Sequence, residues 1–216
     1  MSKDREDRRQ RISAMTESLV NRSRIDPSSG DEWMRLPNTK EMRNLLISLM
    51  STDDRKSTSY HEAAHAVFNE LAGIPVRFVT ALPFYDDARH GWVRGVAMPV
   101  GEVFDFKNAG GYIQGILAGD LAQKKAGSIH AEKTDSDQGQ LERFIAQVNT
   151  KFGTAFTAEQ TYLEFAPHAQ RKLDDPIAWA AIEALAARLQ EVEVVQGDEV
   201  REITARYCEA AKAAGA

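Results

Sequence analysis

The sequence predicts a mainly helical domain of the α+β class, with a small β-sheet beside one central helix. Apolar residues recur at helical spacing through most of the chain beyond residue 40. Among these helical stretches, the run 76–83 is rich in β-branched and aromatic residues, as strands are, and 91–99 is a second strand candidate. With 216 residues, of which 43% are hydrophobic, the chain is long enough to bury a substantial core.

The first 40 residues differ in character from the rest. Residues 1–25 are strongly charged, and their few apolar positions predict a weakly amphipathic helix. Residues 26–39 carry two prolines and several Ser, Asp and Gly residues, which is typical of a linker. We therefore expect residues 1–40 to form a charged arm and linker, and residues 41–216 to form the folded domain.

Two helices are predicted at the start of this domain. The first covers residues 40–50. Ser51 or Thr52 then caps a second helix, because both residue types satisfy free backbone N–H groups at a helix start. The apolar pattern of this second helix continues to about Leu71, and Gly73 marks its end.

The remaining elements follow from similar signals. The strand candidates 76–83 and 91–99 are joined by a turn-like polar segment and should pair as a hairpin or small sheet. Gly111, Gly115 and Gly119 are spaced by four, so they share one helix face and favour close packing against a neighbouring helix. The later helices are predicted at 105–126, 137–149, 154–170, 176–194 and 198–213.

Composition and charge argue against several classes of function. The net charge of −5 gives no support to nucleic-acid binding, whose electrostatic signature is basic. The single cysteine, Cys208, cannot form an intramolecular disulfide, and we interpret it as a packing residue. The charged N-terminus lacks the apolar run of a signal peptide, and no stretch approaches the roughly 18 apolar residues of a membrane span. We therefore expect a soluble, cytoplasmic protein without a membrane segment.

One motif carries chemistry, the HExxH sequence at 61–65 within the predicted second helix. Residues i and i+4 lie on one face of a helix, so His61 and His65 can bind one Zn²⁺ through their imidazoles. Glu62 follows the first ligand and is placed to act as general base on a water molecule. The alanines between and after the histidines let another helix or the metal site approach closely. This favours a metal site over the alternative that His61 and His65 are two ordinary surface histidines.

A third zinc ligand has to come from another part of the chain. Catalytic zinc normally takes three protein ligands and keeps a fourth position for water or substrate. The other histidines, His90, His130 and His168, have no motif around them. The residues by themselves therefore leave the third ligand open.

The segment 59–67, SYHEAAHAV, resembles the YHEAGHA segment of the FtsH-type AAA+ zinc proteases. The resemblance continues in the same order and at similar spacing through four further segments, 76–99, ILAGDLAQKKAG (116–127), TDSDQGQLERFIAQV (134–148) and 181–203. It covers roughly residues 57–207. It implies a helical, zincin-like peptidase domain that binds Zn²⁺ and takes peptide or protein substrates.

In that family the third zinc ligand is an aspartate at the start of the segment that corresponds to 134–148. In this part of the chain the candidates are Asp135 and Asp137. Helical positions after Asp137 form one apolar face that can dock toward the core, namely Leu141, Phe144, Ile145 and Val148. The corresponding positions after Asp135 are Gly139 and Arg143. We therefore favour Asp137 as the third ligand and keep Asp135 as the alternative.

The chain departs from the family pattern in two local features. HEAAH replaces the family's HEAGH, which adds one methyl group inside the helix that carries the site. Alanine forms helices better than glycine, so we expect the helix to tolerate this change. If the LER triplet sets the alignment, the family aspartate falls on Gln140 rather than on Asp137. Glu142, two residues further, is a third choice of ligand.

The family's ATPase module has no counterpart in this sequence. Fewer than 60 residues precede the region that resembles the peptidase, and no GxxxxGK[ST] phosphate loop occurs. The resemblance then implies a stand-alone, ATP-independent zinc metallo-endopeptidase. Without a motor we expect its substrates to be unfolded or flexible segments, bound as an added strand along the sheet edge at 91–98. Two alternatives stay open, a binding or regulatory module with little catalysis and another type of stand-alone HExxH peptidase. The oligomeric state is also left open.

Overall fold

The computed structural model describes residues 36–87, 90–100, 108–127 and 135–214. Its helices are α1 (Lys40–Leu49), α2 (Thr52–Leu71), α3 (Ala109–Lys125), α4 (Asp135–Phe152), α5 (Ala158–Asp174), α6 (Pro176–Glu191) and α7 (Gly197–Ala214). Its strands are β1 (Val76–Thr80), β2 (Phe84–Asp86), β3 (Gly91–Val93), β4 (Val96–Pro99) and β5 (Val195–Gln196). The predicted mainly helical α+β class with a small sheet is confirmed. The predicted N-terminal helix and most of the linker lie outside the described residues.

Helix α2 is the centre of the fold. The Ser51 hydroxyl accepts the Asp54 backbone N–H at 3.0 Å, and the Asp54 carboxylate accepts the Ser51 N–H at 3.1 Å, so a capping box starts the helix. The helix ends before Gly73, whose φ of 73° is a left-handed conformation that glycine adopts without strain. α2 packs against α3 and α6 and contacts β1 and β4. The HExxH helix is therefore covered on several sides, with the small sheet beside it as predicted.

The predicted glycine stripe of α3 allows this helix to lie very close to α2. A Cβ atom at Gly111 would lie 2.5 Å from the Cβ of Ala72, and one at Gly115 would lie 2.8 Å from Oδ1 of Asn69. Side-chain atoms do not approach each other so closely, so a larger residue at either position would force its neighbour on α2 to shift. The prediction that the stripe packs against a neighbouring helix is confirmed.

The strands form one three-stranded and one two-stranded antiparallel arrangement. The larger sheet has the order β4-β1-β5, with Val79 of β1 opposite Ala97 of β4 and Val195 of β5. The predicted pairing of the strands near 76–83 and 91–99 is thus present between β1 and β4. β4 is an edge strand, with β1 on one side and no other described strand on the opposite side.

Two details of the strand prediction are wrong. The stretch 91–99 is not one strand, because it breaks at Arg94 and Gly95 into β3 and β4, which pair with different partners. Part of the segment predicted as a turn is β2, Phe84–Asp86, which pairs with β3. Local composition does not reveal such a break, since it arises where the backbone of Gly95 passes close to α2.

The later helices lie within a few residues of their predicted bounds. The apolar stripe of α6 is buried at Ala181, Ile182, Leu185 and Leu189. Cys208 is a partly buried free cysteine in α7. Among the described residues, no helix is both long and apolar enough to span a membrane.

Candidate metal centre

Helix α2 brings the HExxH side chains into the interior. His61 and Glu62 are 5% and 6% exposed, so both are buried, and His65 is partly buried. The alanines at 63, 64 and 66 are fully buried, as expected for small residues that let neighbouring elements approach. The two imidazoles meet edge to face, with their Nε2 atoms 2.8 Å apart. The i, i+4 spacing therefore produces the predicted pair of nitrogens.

The third group at this position is Asp137, from the first turn of α4. Its Oδ2 atom lies 3.0 Å from Nε2 of His61 and 3.3 Å from Nε2 of His65. Asp137 is 8% exposed, and the apolar face that follows it buries Leu141, Phe144 and Ile145. Helix α4 packs against α3 and α5, with the Phe144 ring against that of Tyr112, and this packing places Asp137 beside the histidines of α2.

Glu142 and Gln140 are not brought to the histidines. Glu142 is exposed and accepts a hydrogen bond from Gln138 at 3.0 Å. The Gln140 amide donates to the Tyr112 hydroxyl at 2.7 Å. The side chain of Asp135 lies outside what the structure describes.

The remaining histidines are placed elsewhere. His90 is exposed in the turn before β3, and His168 is exposed on α5, where it lies 2.8 Å from the Arg171 guanidinium. His130 lies outside the described residues. Within the described ranges, the group of His61, His65 and Asp137 is the cluster whose atoms are close enough to hold one metal ion.

The geometry of these three residues fits Zn²⁺. A tetrahedral zinc ion with bonds of about 2.0–2.1 Å separates its ligand atoms by about 3.3 Å. The three observed separations are 2.8, 3.0 and 3.3 Å. Oδ2 of Asp137 is buried and faces the two Nε2 atoms, where a cation held between the three groups would contact it. Two nitrogens and one carboxylate oxygen are also a donor set that zinc prefers.

Gly119 of α3 leaves the space beside the two nitrogens open. A Cβ atom at this position would lie 2.6 Å from Nε2 of His61 and 2.6 Å from Nε2 of His65. Gly119 belongs to the stripe that the sequence indicated, but its contact with the histidines was not predicted. Any side chain here would press on the atoms that would bind the metal.

We expect Gly119→Ala to weaken zinc binding by about 10- to 100-fold, since overpacking typically costs 1–3 kcal/mol and here falls on the ligand rings. Alanine is the better helix former by about 1 kcal/mol, so α3 itself should not suffer. Zinc affinity measured by chelator competition tests this expectation. Gly110→Ala is the matched control, because its Cβ would meet only the Phe165 ring at 3.3 Å. Equal zinc affinity in the two variants would contradict the argument.

Helix α3 also contacts the far side of both imidazoles. Nδ1 of His65 lies 2.7 Å from the backbone oxygen of Gly115, so it donates its proton there and leaves Nε2 free to bind a metal. Nδ1 of His61 lies 3.6 Å from Oδ1 of Asp120. Sequence reasoning missed Asp120, and no spacing rule within α2 could have identified it.

Glu62 lies on the side of α2 that faces the sheet. The backbone N–H of Ala97 in β4 donates to its carboxylate. A Cβ atom at Gly95 would lie 2.7 Å from Cγ of Glu62, so glycine is needed where the chain crosses this residue. Burial raises the pKa of Glu62, and the two histidines oppose this rise only in part. A carboxyl group with a raised pKa is a better proton acceptor near neutral pH than an ordinary one.

The three predicted ligands are strongly coupled when no metal is bound. Burial opposes protonation of His61, but the carboxylates of Asp137, Glu62 and Asp120 together outweigh it and raise the pKa of His61 to about 10. The pKa of His65 is raised by the same carboxylate against the effect of burial. In return, the histidines hold the pKa of Asp137 far below its ordinary value although burial acts in the other direction. In the metal-free protein, a proton bound to the histidines therefore supplies the positive charge that a metal ion would supply.

We expect the metal-free protein to lose stability as the pH rises from about 6.5 to about 10. Over this interval the folded protein keeps a proton on His61 that the unfolded chain, with an ordinary pKa of 6.5, has released. Urea unfolding of chelator-treated protein across this pH range measures the effect. The decline should be much smaller in Asp137→Asn, which lacks the carboxylate that contributes most to the raised pKa of His61. Stability that increases over this range in the metal-free protein would contradict the assignment.

A groove of about 440 Å³ opens beside Asp137 and Asp120. It lies between α3, α4 and α5, and its walls are mainly apolar, with Leu117, Leu141 and Tyr162 among them. A cavity of this volume accommodates a large apolar side chain or a small ligand.

No protein-family model matches this chain, and a search of curated proteins finds no match either. The positions of His61, Glu62, His65 and Asp137, and the elements that hold them, are therefore the observations from which a function is inferred.

Proposed function

We propose that the protein is a zinc-dependent metallo-endopeptidase. His61, His65 and Asp137 would hold the metal, and Glu62 would act as general base. The observation that carries this proposal is the buried triangle of two Nε2 atoms and one carboxylate oxygen, with sides of 2.8–3.3 Å, next to Glu62 on the same helix. The resemblance of the sequence to FtsH-type zinc proteases supports it.

When bound, Zn²⁺ supplies a Lewis acid that polarises a carbonyl group and makes a water molecule more acidic. The protein supplies the proton transfers. The Glu62 carboxylate takes a proton from the attacking water and delivers it to the leaving amine of the peptide. Its raised pKa suits both steps, and the hydrogen bond from Ala97 holds the carboxylate in place. Burial of His61 and Glu62 keeps bulk water away from the reacting groups.

The edge of β4 is the best candidate for the substrate position. It carries Ala97, which contacts Glu62, and its outer side has no strand in the described part of the chain. An extended peptide can add to such an edge through main-chain hydrogen bonds. The apolar groove beside Asp137 would then accept a side chain near the bond that is cleaved. This mode of binding requires an unfolded or flexible segment as substrate.

We infer that activity needs no ATP, because the sequence contains no phosphate-binding loop. We also place the protein in a reducing, cytoplasmic compartment, in keeping with the free Cys208.

The direct test is cleavage of an unfolded, casein-like protein by the purified chain without ATP. We expect cleavage that a chelator abolishes and that added Zn²⁺ restores. Cleavage that persists after the metal has been removed would refute the zinc mechanism. No cleavage by zinc-loaded protein, together with stable binding of the unfolded protein, would favour a binding or regulatory module instead.

A further inference from the structure

The two candidate zinc-binding histidines are supported by α3 in different ways. His65 donates its Nδ1 proton to a backbone carbonyl, that of Gly115, at 2.7 Å. His61 has its Nδ1 nitrogen 3.6 Å from a side-chain carboxylate, that of Asp120. A backbone carbonyl is present whatever the side chain is, whereas a carboxylate can be removed by mutation. The second contact can therefore be tested separately from the fold.

We propose that Asp120 is a positioning residue for His61, which holds the ring so that Nε2 points to His65 and Asp137. This inference rests on the proposed zinc centre. An imidazole that binds a metal through Nε2 carries its proton on Nδ1, and that proton needs an acceptor. Asp120 is the carboxylate that lies within 4 Å of Nδ1, one helical position after Gly119.

The burial of this pair makes the contact costly to lose. The side chain of His61 is 7% exposed and that of Asp120 is 19% exposed, so water has little access to the space between them. Nδ1 of His61 is buried and makes no hydrogen bond within the described residues. A buried N–H group without an acceptor is destabilising by about 1–3 kcal/mol. A shift of about half an ångström would bring the 3.6 Å separation into the hydrogen-bond range.

The position of Asp120 suits orientation rather than metal binding. It faces Nδ1 of His61, whereas Asp137 lies on the Nε2 side with His65. A carboxylate on the outer nitrogen fixes the tautomer of the ring and increases its basicity toward a metal. Loss of such a partner typically lowers metal affinity by about 10- to 100-fold.

The experiment compares zinc affinity, measured by competition with a chromogenic chelator, in the wild type, Asp120→Ala and Asp120→Asn. We expect Asp120→Ala to bind zinc about 10- to 100-fold more weakly. Asp120→Asn keeps an oxygen acceptor of the same shape and should retain part of the affinity. With Co²⁺ in place of zinc, the visible absorption of the Asp120→Ala protein should change, because the His61 ring is reoriented. Urea unfolding of the metal-free variants checks that they fold.

Glu159→Gln is the matched control for charge. Glu159 is an exposed carboxylate that lines the groove beside Asp137 and Asp120. Its replacement changes the net charge by the same amount as replacement of Asp120, but it does not alter a contact of His61. Its zinc affinity should equal that of the wild type. If Asp120→Ala and Asp120→Asn bind zinc as tightly as the wild type, or no more weakly than Glu159→Gln, the positioning role is refuted while the zinc centre stands. If the wild type itself binds no zinc, the proposed function fails and this inference fails with it.

Discussion

Glu62→Gln should slow peptide-bond cleavage by about two to four orders of magnitude, which is the usual contribution of a general base. Glutamine keeps the size of the side chain and can still accept the hydrogen bond from Ala97. It cannot take a proton from the attacking water. Zinc content and thermal stability should change little, because His61, His65 and Asp137 remain.

The measurement is kcat/KM on an unfolded protein substrate, with zinc content and peptide affinity determined on the same samples. The variant should be folded, loaded with zinc, able to bind peptide and nearly inactive. An unchanged rate would refute the role of Glu62 in water activation. If neither the wild type nor the variant cleaves, but both bind the same partner, the regulatory-module alternative replaces the peptidase proposal.

Asp137→Asn should lower zinc affinity by about 100- to 1,000-fold. Apparent zinc-binding free energies of about 10–16 kcal/mol are shared among three or four ligands, so one ligand contributes about 3–4 kcal/mol. Asparagine is close in shape but lacks the negative charge that faces both imidazoles at 3.0 and 3.3 Å. The loss should therefore appear in the chelator-competition constant and abolish activity at limiting zinc.

Asp135→Asn is the matched control, since it removes the same charge from the same turn of α4. It should bind zinc as the wild type does. If Asp135→Asn loses zinc and Asp137→Asn keeps it, the register of α4 assigned to the site is wrong. If both keep it, the third ligand comes from elsewhere in the chain.

Much of the framework could be predicted because its signals are local. The Ser51 cap and the Gly73 end define α2 within a few neighbouring residues. The i, i+4 spacing of His61 and His65 gives two nitrogens on one helix face without any tertiary information. The glycine spacing in α3 also predicted a close helix contact, which the structure confirms at Gly111 and Gly115.

The prediction was weakest where distant segments meet. The break at Gly95 lies where the chain passes close to Glu62 and Thr80, and β2 is a strand because it pairs with β3. Local composition carries no trace of either contact. Strand propensity reports suitability for a half-buried pleated surface, not which partner strand is present.

By itself, the sequence determined the helical class, the α2 helix with His61, Glu62 and His65 on it, and two aspartates near the start of α4 as choices for a third ligand. Tertiary structure alone decided that Asp137 reaches both histidines, that Gly119 leaves room beside them, and that Asp120 lies behind His61. The reason is physical. Helix periodicity orders residues a few positions apart, whereas a contact between residues 61 and 137 depends on how the apolar faces of α2, α3 and α4 pack.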